Sequence, residues 1–202
     1  MGTLTDIDDP GIFYSSNASD GASIGSDPVI TELLSALDRH DSVSADHSRR
    51  VERRCAHVGP LYFSDPKDVR SLRRRGLMHD IGKLIVPREI VSKPGELTTE
   101  EWEIMYMHPV FGRDILFPDY PGEAVAAMDH HKLGPRSYPN NGLEGAEKDR
   151  LMSLIVAMAD VYDAVRNPRS YKGPRSDDDA IRVVYNNFSA HGSAVTRFLD
   201  LV

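Results

Sequence analysis

The chain has 202 residues, 40% of them hydrophobic, enough for one well-buried core. A formal charge of −7 argues against affinity for a nucleic-acid duplex, whose phosphates reward a clustered positive excess. A single cysteine, Cys55, excludes an internal disulfide, no apolar run reaches the ~18 residues of a membrane span, and the N-terminus lacks the pattern of a secretory signal; a cytosolic, cytoplasmic protein is expected.

Residues 1–26 are rich in Ser, Gly and Asp and read as a flexible leader or linker remnant, too short for a sensory domain; residues 27–202 read as one domain. Asp27-Pro28 has the form of an N-cap with proline at the first helical position, and Val29, Leu33, Leu34 and Leu37 follow at helical spacing. A second helix is expected from about Asp46 to Val58, carrying His47 and Arg49, Arg50, Arg53 and Arg54. Those arginines read as a solvated face, with phosphate binding as the alternative. Asp65-Pro66 opens a third helix that runs into Leu77, Met78, His79 and Asp80, where Gly82 is a natural stop. After a loop, Thr98-x-x-Glu101 has the form of a capping box and starts a helix expected to hold Trp102, Met105 and His108, with Pro109 breaking it just after the histidine.

Pro121-Gly122 begins a helix ending in His130-His131, and the Gly, Pro and Asn content of residues 132–146 makes them a loop. Leu151 to Val165 is the most apolar helix, with Asp160 and Asp163 one turn apart; Ser176 to Asp179 caps another, and Val195 to Leu201 forms a short last one. No segment alternates apolar and polar residues and no hairpin dipeptide joins β-branched runs, so the fold class expected is all-α, a helical bundle.

Five of the eight histidines, His47, His79, His108, His130 and His131, sit on these helices, mostly near their ends. Asp80 adjoins one of them, and Asp160 interrupts an apolar run where an ionised carboxylate needs a cation or donors. Five imidazoles and two carboxylates exceed the needs of one tetrahedral ion and suit two divalent ions of higher coordination, with Asp80 bridging. The absence of thiolates disfavours structural zinc; iron or manganese is the first expectation, nickel or zinc the alternative. Lys83 adds a fixed charge suited to a phosphate oxygen. Other readings stay open at this point: His130-His131 as imidazoles at a helix C-terminus, Asp160 as an arginine partner. His40, His57 and His191 read as surface or hydrogen-bonded side chains.

The order of these residues resembles the HD-GYP branch of the HD phosphohydrolase superfamily over roughly residues 45–190. It is carried by His47-Ser48-Arg49-Arg50-Val51, His79-Asp80-Ile81-Gly82-Lys83, Ser92-Lys93-Pro94-Gly95, Leu97 through Trp102, Met107-His108-Pro109, His130-His131, Ala159 through Ala164, and Arg169-Ser170-Tyr171-Lys172. The resemblance implies an all-helical domain around two or three metals, hydrolysing cyclic di-GMP through a metal-activated bridging hydroxide. By position, His47, His79, Asp80, His108, His130, His131 and Asp160 match the family's metal ligands, and Lys83 matches its phosphate lysine. Asp163 matches a carboxylate beside the site, counted with Asp80 and Lys83 as catalytic; Arg169, Lys172 and Tyr138 fall at substrate-binding positions.

The chain departs from the family in its namesake loop, His-His-Glu-x-x-Asp-Gly-x-Gly-Tyr-Pro. Here the loop is one residue shorter, with Lys132 for the Glu, Ser137 for the middle Gly and no intervening Asp. Lys132 and Arg136 are therefore expected to add positive charge at the mouth of the site, which opens two alternatives: hydrolysis of another nucleotide or phosphoester, or a catalytically silent binder acting through a signalling partner protein. Val43 stands where some members carry a third-metal Glu, so two ions are expected.

Overall fold

The computed structural model describes residues 27–134, 137–139, 142–167 and 175–202. Among them there is no strand; ten α-helices and three short 3-10 turns form the domain. The helices are α1 (Pro28–His40), α2 (Ser42–Val58), α3 (Pro66–Met78), α4 (Arg88–Val91), α5 (Thr99–Met105), α6 (His108–Leu116), α7 (Pro121–Asp129), α8 (Glu147–Arg166), α9 (Asp177–Phe188) and α10 (Ser193–Leu199).

The caps read from sequence are present. Asp27 accepts from the amides of Val29 and Ile30, Asp65 from Lys67, and Ser176 from Asp179, while Thr98 and Glu101 form a reciprocal box. Two helices start earlier than the apolar pattern suggested. α2 begins at Ser42 because the Asp41 carboxylate takes the Ser44 amide at 2.9 Å, and α8 begins at Glu147, where Asp149 takes the Ala146 amide at 3.2 Å.

The expectation for Pro109 needs correction. α5 ends at Met105, and Pro109 lies in the first turn of the next helix, which His108 begins. A proline lacks only an amide that an opening turn leaves unused, so it starts α6 rather than breaking α5.

α8 is the central element. Met152 through Ala159 are all buried, and the helix packs against α2, α3, α7 and α9. A helix apolar on every face belongs in the middle of a bundle. Its side chains join Val51, Cys55, Leu72, Val184 and Phe198 in the main core; a second cluster, with Ile30, Leu37, Met78, Ile81 and Ala127, packs α1, α3 and α7 together. After α3 the chain tightens into a 3-10 turn, Ile81–Leu84, lying against α6. The contact is so close that a Cβ on Gly82 would stand 1.9 Å from the carbonyl oxygen of His108. Glycine is required there to seat Asp80 and Lys83 beside His108.

Candidate metal centre

The seven residues expected as ligands converge from α2, the end of α3, the start of α6, the end of α7 and the middle of α8. The contacts between them are ordered. Asp80 Oδ2 faces His47 Nε2 at 3.9 Å and His79 Nε2 at 3.6 Å, whereas Asp80 Oδ1 faces His108 Nε2 at 3.3 Å and His130 Nε2 at 3.9 Å. One carboxylate thus looks at two pairs of imidazoles, one pair per oxygen. Asp160 Oδ1 closes the first side, 3.0 Å from His47 Nε2 and 4.0 Å from His79 Nε2. His131 joins His108 and His130 on the other.

The backbone fixes the rings. His79 Nδ1 meets the Gly76 carbonyl at 2.8 Å, His108 Nδ1 that of Met105 at 2.7 Å, and His130 Nδ1 that of Ala127 at 2.9 Å. A carbonyl only accepts, so each Nδ1 carries a proton and each ring turns its Nε2 to the centre. His79 Nε2 is buried with no hydrogen-bond partner among the described residues, and the Nε2 atoms of His108 and His130 confront each other at 3.4 Å. Lone pairs facing at that distance attract only through a cation or a shared proton. The donor set therefore fits divalent cations: inward imidazole nitrogens, a two-sided carboxylate and backbone carbonyls orienting the rings from behind.

His47 is oriented by a carboxylate instead. Its Nδ1 lies 2.7 Å from Asp163 Oδ2, and Asp163 also accepts from Arg50 Nε at 2.8 Å, Arg50 Nη2 at 3.0 Å and Asn167 Nδ2 at 3.0 Å. Asp163 thus stands behind His47, at the Nδ1 edge of the ring, while Asp160 meets the Nε2 edge.

The electrostatics follow from this packing. Burial favours neutral imidazole: His79 and His130 are pushed down, and His131 falls to about 3, with neighbouring imidazoles adding to the effect in His130 and His131. His47 goes the other way. Burial would lower it, but hydrogen bonds with Asp160 and Asp163 raise it to about 9. Asp80 and Asp160 also resist the upward push of burial; Lys83 and His79 hold Asp80 well down, and His47 does so for Asp160.

A cavity of about 650 Å³ opens over the cluster, lined by His47, His108, His131 and Asp160 and, further out, by Lys83, Arg50, Lys93, Trp102 and Tyr138. Lys83 is ion-paired with Asp80. Tyr138 stacks on His131 with centroids 4.5 Å apart and planes 20° apart.

Lys132 does not reach the mouth as expected. Its side chain is 2% exposed, with Nζ 2.7 Å from Asp129 Oδ1 and 3.1 Å from the Gly142 carbonyl, and Asp129 Oδ2 takes the Glu144 amide at 2.8 Å. The charge is neutralised inside and fastens the loop instead. Arg136, Arg169 and Lys172 lie outside the described residues. The arginines of α2 are not all a solvated face: Arg50 grips Asp163, and the Arg54 guanidinium sits 3.9 Å over the Tyr162 ring, while Arg49 pairs at the surface with Asp46. Sequence reasoning missed Arg50 and Asp129 as partners. A signal existed for the second, an Asp three residues before a Lys at a helix end.

The sequence model of the HD domain matches residues 44–165. The chain belongs to the HD domain family. The chain is 31% identical over 155 residues to 3'3'-cGAMP-specific phosphodiesterase 2 of Vibrio cholerae, covering 74% of this chain and 29% of that protein. It is 32% identical over 161 residues to a cyclic di-GMP phosphodiesterase of Thermotoga maritima, covering 77% and 43%. The chain spans less than half the length of the curated relatives it matches. Among solved structures, the HD domain of the L. monocytogenes phosphodiesterase PgpH, in complex with cyclic-di-AMP, shares the fold with a TM-score of 0.60 at 14% identity, over 84% of this chain and 93% of that one.

Proposed function

We propose that this HD domain is a metal-dependent phosphodiesterase that hydrolyses cyclic di-GMP. The observation that carries the reading is the division of the Asp80 carboxylate between two pairs of imidazole Nε2 atoms, one of which, His79 Nε2, is buried with no hydrogen-bond partner among the described residues. We assign one ion to His47, His79, Asp80 and Asp160 and a second to Asp80, His108, His130 and His131, with iron or manganese favoured by the mixed nitrogen and oxygen donors. Relatives named for cyclic di-GMP support the substrate.

The chemistry such ions supply is acidification of water to a pKa of about 7 and withdrawal of charge from phosphoryl oxygens. The protein's own groups do the rest. Asp80 holds the two halves of the centre at a fixed separation, and Asp163, itself fixed by Arg50, holds the His47 ring in the tautomer with Nε2 inward. Lys83, at the cavity wall and 12% exposed, stands ready to exchange its contact with Asp80 for a non-bridging phosphate oxygen. Tyr138 covers His131 and limits water on that side. The buried free thiol of Cys55 suits a reducing compartment, and we place the activity in the cytosol.

The test is metal-loaded protein, purified without oxygen and analysed for metal, incubated with cyclic di-GMP; no linear dinucleotide or GMP under iron or manganese loading would reject the proposal. Asp80→Ala should release at least one ion and abolish turnover. A second reading, hydrolysis of the hybrid 3'3'-cGAMP, is favoured by the Vibrio relative named for it. Parallel rates on the two cyclic dinucleotides decide between them.

A further inference from the structure

The cavity has one wall that the hydrolytic reading leaves idle. Among the described residues the cavity's cations are each already engaged, Lys83 with Asp80, Arg50 with Asp163 and Lys93 with Glu101 at 2.5 Å. Beside Lys93, and starting at the residue after its partner Glu101, runs a series of aromatic rings. Trp102 lines the cavity and is 43% exposed; it stacks on Tyr106 at 5.3 Å with planes 28° apart, Tyr106 meets Tyr138 at 4.5 Å, and Tyr138 lies on His131. The series begins at the rim and ends on an imidazole of the metal cluster.

This wall is held in place before any ligand arrives. Trp102 follows the capping box of α5, whose Glu101 carboxylate is fixed by the Thr98 amide at 2.7 Å and by Lys93. Trp102 and Tyr106 are four residues apart on one helix, so each ring limits the other's rotamers. Tyr138 is carried by the loop that the buried Asp129–Lys132 pair and the Glu144 amide fasten. A large indole left half open in a concave, rigid site is poised for a flat, apolar-faced ligand that costs little further ordering.

Building on the phosphodiesterase reading, we propose that Trp102 is a nucleobase platform: one purine of the substrate stacks on the indole at the rim while a phosphate lies over the Asp80 centre. Phosphate contacts alone do not distinguish a cyclic dinucleotide from any other phosphodiester. The indole supplies recognition of the base and selects substrates that carry one. Stacking of a base on an aromatic side chain is sequence-tolerant, so the platform favours purines without choosing between guanine and adenine.

Trp102 is the only tryptophan in the chain, so its fluorescence reports this position alone. Metal-loaded protein is titrated with GMP and, in parallel, with ribose 5-phosphate, which has the sugar and phosphate but no base. Saturable quenching by GMP and none by ribose 5-phosphate is expected. Trp102→Ala should raise KM for the cyclic dinucleotide between about 5-fold and about 150-fold, the range that stacking on one ring provides, with kcat and metal content little changed. Trp102→Phe should recover part of the loss. Equal responses to the two probes, or no response, together with unchanged KM in the alanine variant, overturns the platform and leaves the phosphodiesterase reading intact. Base-dependent quenching in a protein that hydrolyses no cyclic dinucleotide keeps the platform and rejects the proposed activity instead.

Discussion

Asp163→Asn is the substitution that best separates orientation from coordination in this site. The wild-type carboxylate accepts from His47 Nδ1, from two nitrogens of Arg50 and from Asn167. Asparagine keeps the shape but turns one oxygen into a donor, which then confronts a donor of His47 or Arg50. Arg50 is about a third exposed and recovers solvation, so most of the cost falls on His47. Loss of an outer partner to a ligating imidazole weakens metal binding by about 10- to 100-fold. A second effect opposes it. His47 sits near pKa 9 against the pull of burial, partly because of Asp163, so at pH 7 a metal must displace a proton at a cost of about two pH units, or about 100-fold. Removing the Asp163 charge lowers that pKa and relieves part of the competition. The variant's deficit should therefore be full above pH 9 and shrink toward pH 7. Zinc affinity measured in chelator buffers at both pH values, with the His47 titration followed by imidazole nitrogen NMR, checks this. A deficit independent of pH, or a His47 pKa that stays at 9 in the variant, would refute the assignment of Asp163 as the group that holds the ring.

The same proton gives a prediction for the wild type: burial keeps His79, His130 and His131 neutral, so metal uptake near pH 7 should release a proton from His47, visible as a buffer-dependent heat in calorimetry. In the metal-free protein the raised His47 pKa stabilises the fold fully below about pH 6.5, and this contribution is lost as pH rises through 9; the melting-temperature gap between wild type and His47→Gln should close over that window. Gly82→Ala places a methyl 1.9 Å from the His108 carbonyl oxygen and 2.4 Å from the Gly112 amide nitrogen, both backbone, so it should cost about 3 kcal/mol or more, lower the melting temperature by about 6–12 °C and reduce metal content. Lys132→Met strands the buried Asp129 carboxylate and should cost about 3–5 kcal/mol, read as a fall of about 6–20 °C, whereas pairing it with Asp129→Leu should restore most of the loss; equal melting temperatures for the single and double variants would show that the ion pair does not fasten the loop.

The parts of this molecule that show in the sequence are those with local causes. Asp27-Pro28, Asp65-Pro66 and Thr98 through Glu101 announce helix starts because a cap is a contact between residues two or three apart. Misreadings arose where one residue serves two local purposes. Proline both ends and opens helices, and only the end of α5 at Met105, before His108 begins α6, shows which occurs at Pro109. For Lys132 the spacing to Asp129 shows a possible local partner, but its burial and its bond to the Gly142 carbonyl depend on how the loop folds back, which neighbouring residues do not reveal.

The pair Asp160 and Asp163 shows where the boundary falls. Three residues apart on α8, they share a face, and that much is plain from the spacing. Their roles are not, since both carboxylates meet the same histidine. His47 is clamped between them, Nε2 3.0 Å from Asp160 and Nδ1 2.7 Å from Asp163, and the ring's two edges give the carboxylates opposite duties. Asp160 shares the inward edge with Asp80 and the cavity; Asp163 takes the outward edge with Arg50. The depth at which α2 docks on α8 decides which is which, and that depth is set by distant apolar contacts such as Val51 and Cys55 in the main core. Substituting asparagine at Asp160 should thus cost more metal affinity than at Asp163 at every pH, because it removes a ligand oxygen as well as part of the charge that raises the His47 pKa. Identical profiles for the two variants, measured by chelator competition, would mean that the ring is not divided between them as the structure places it.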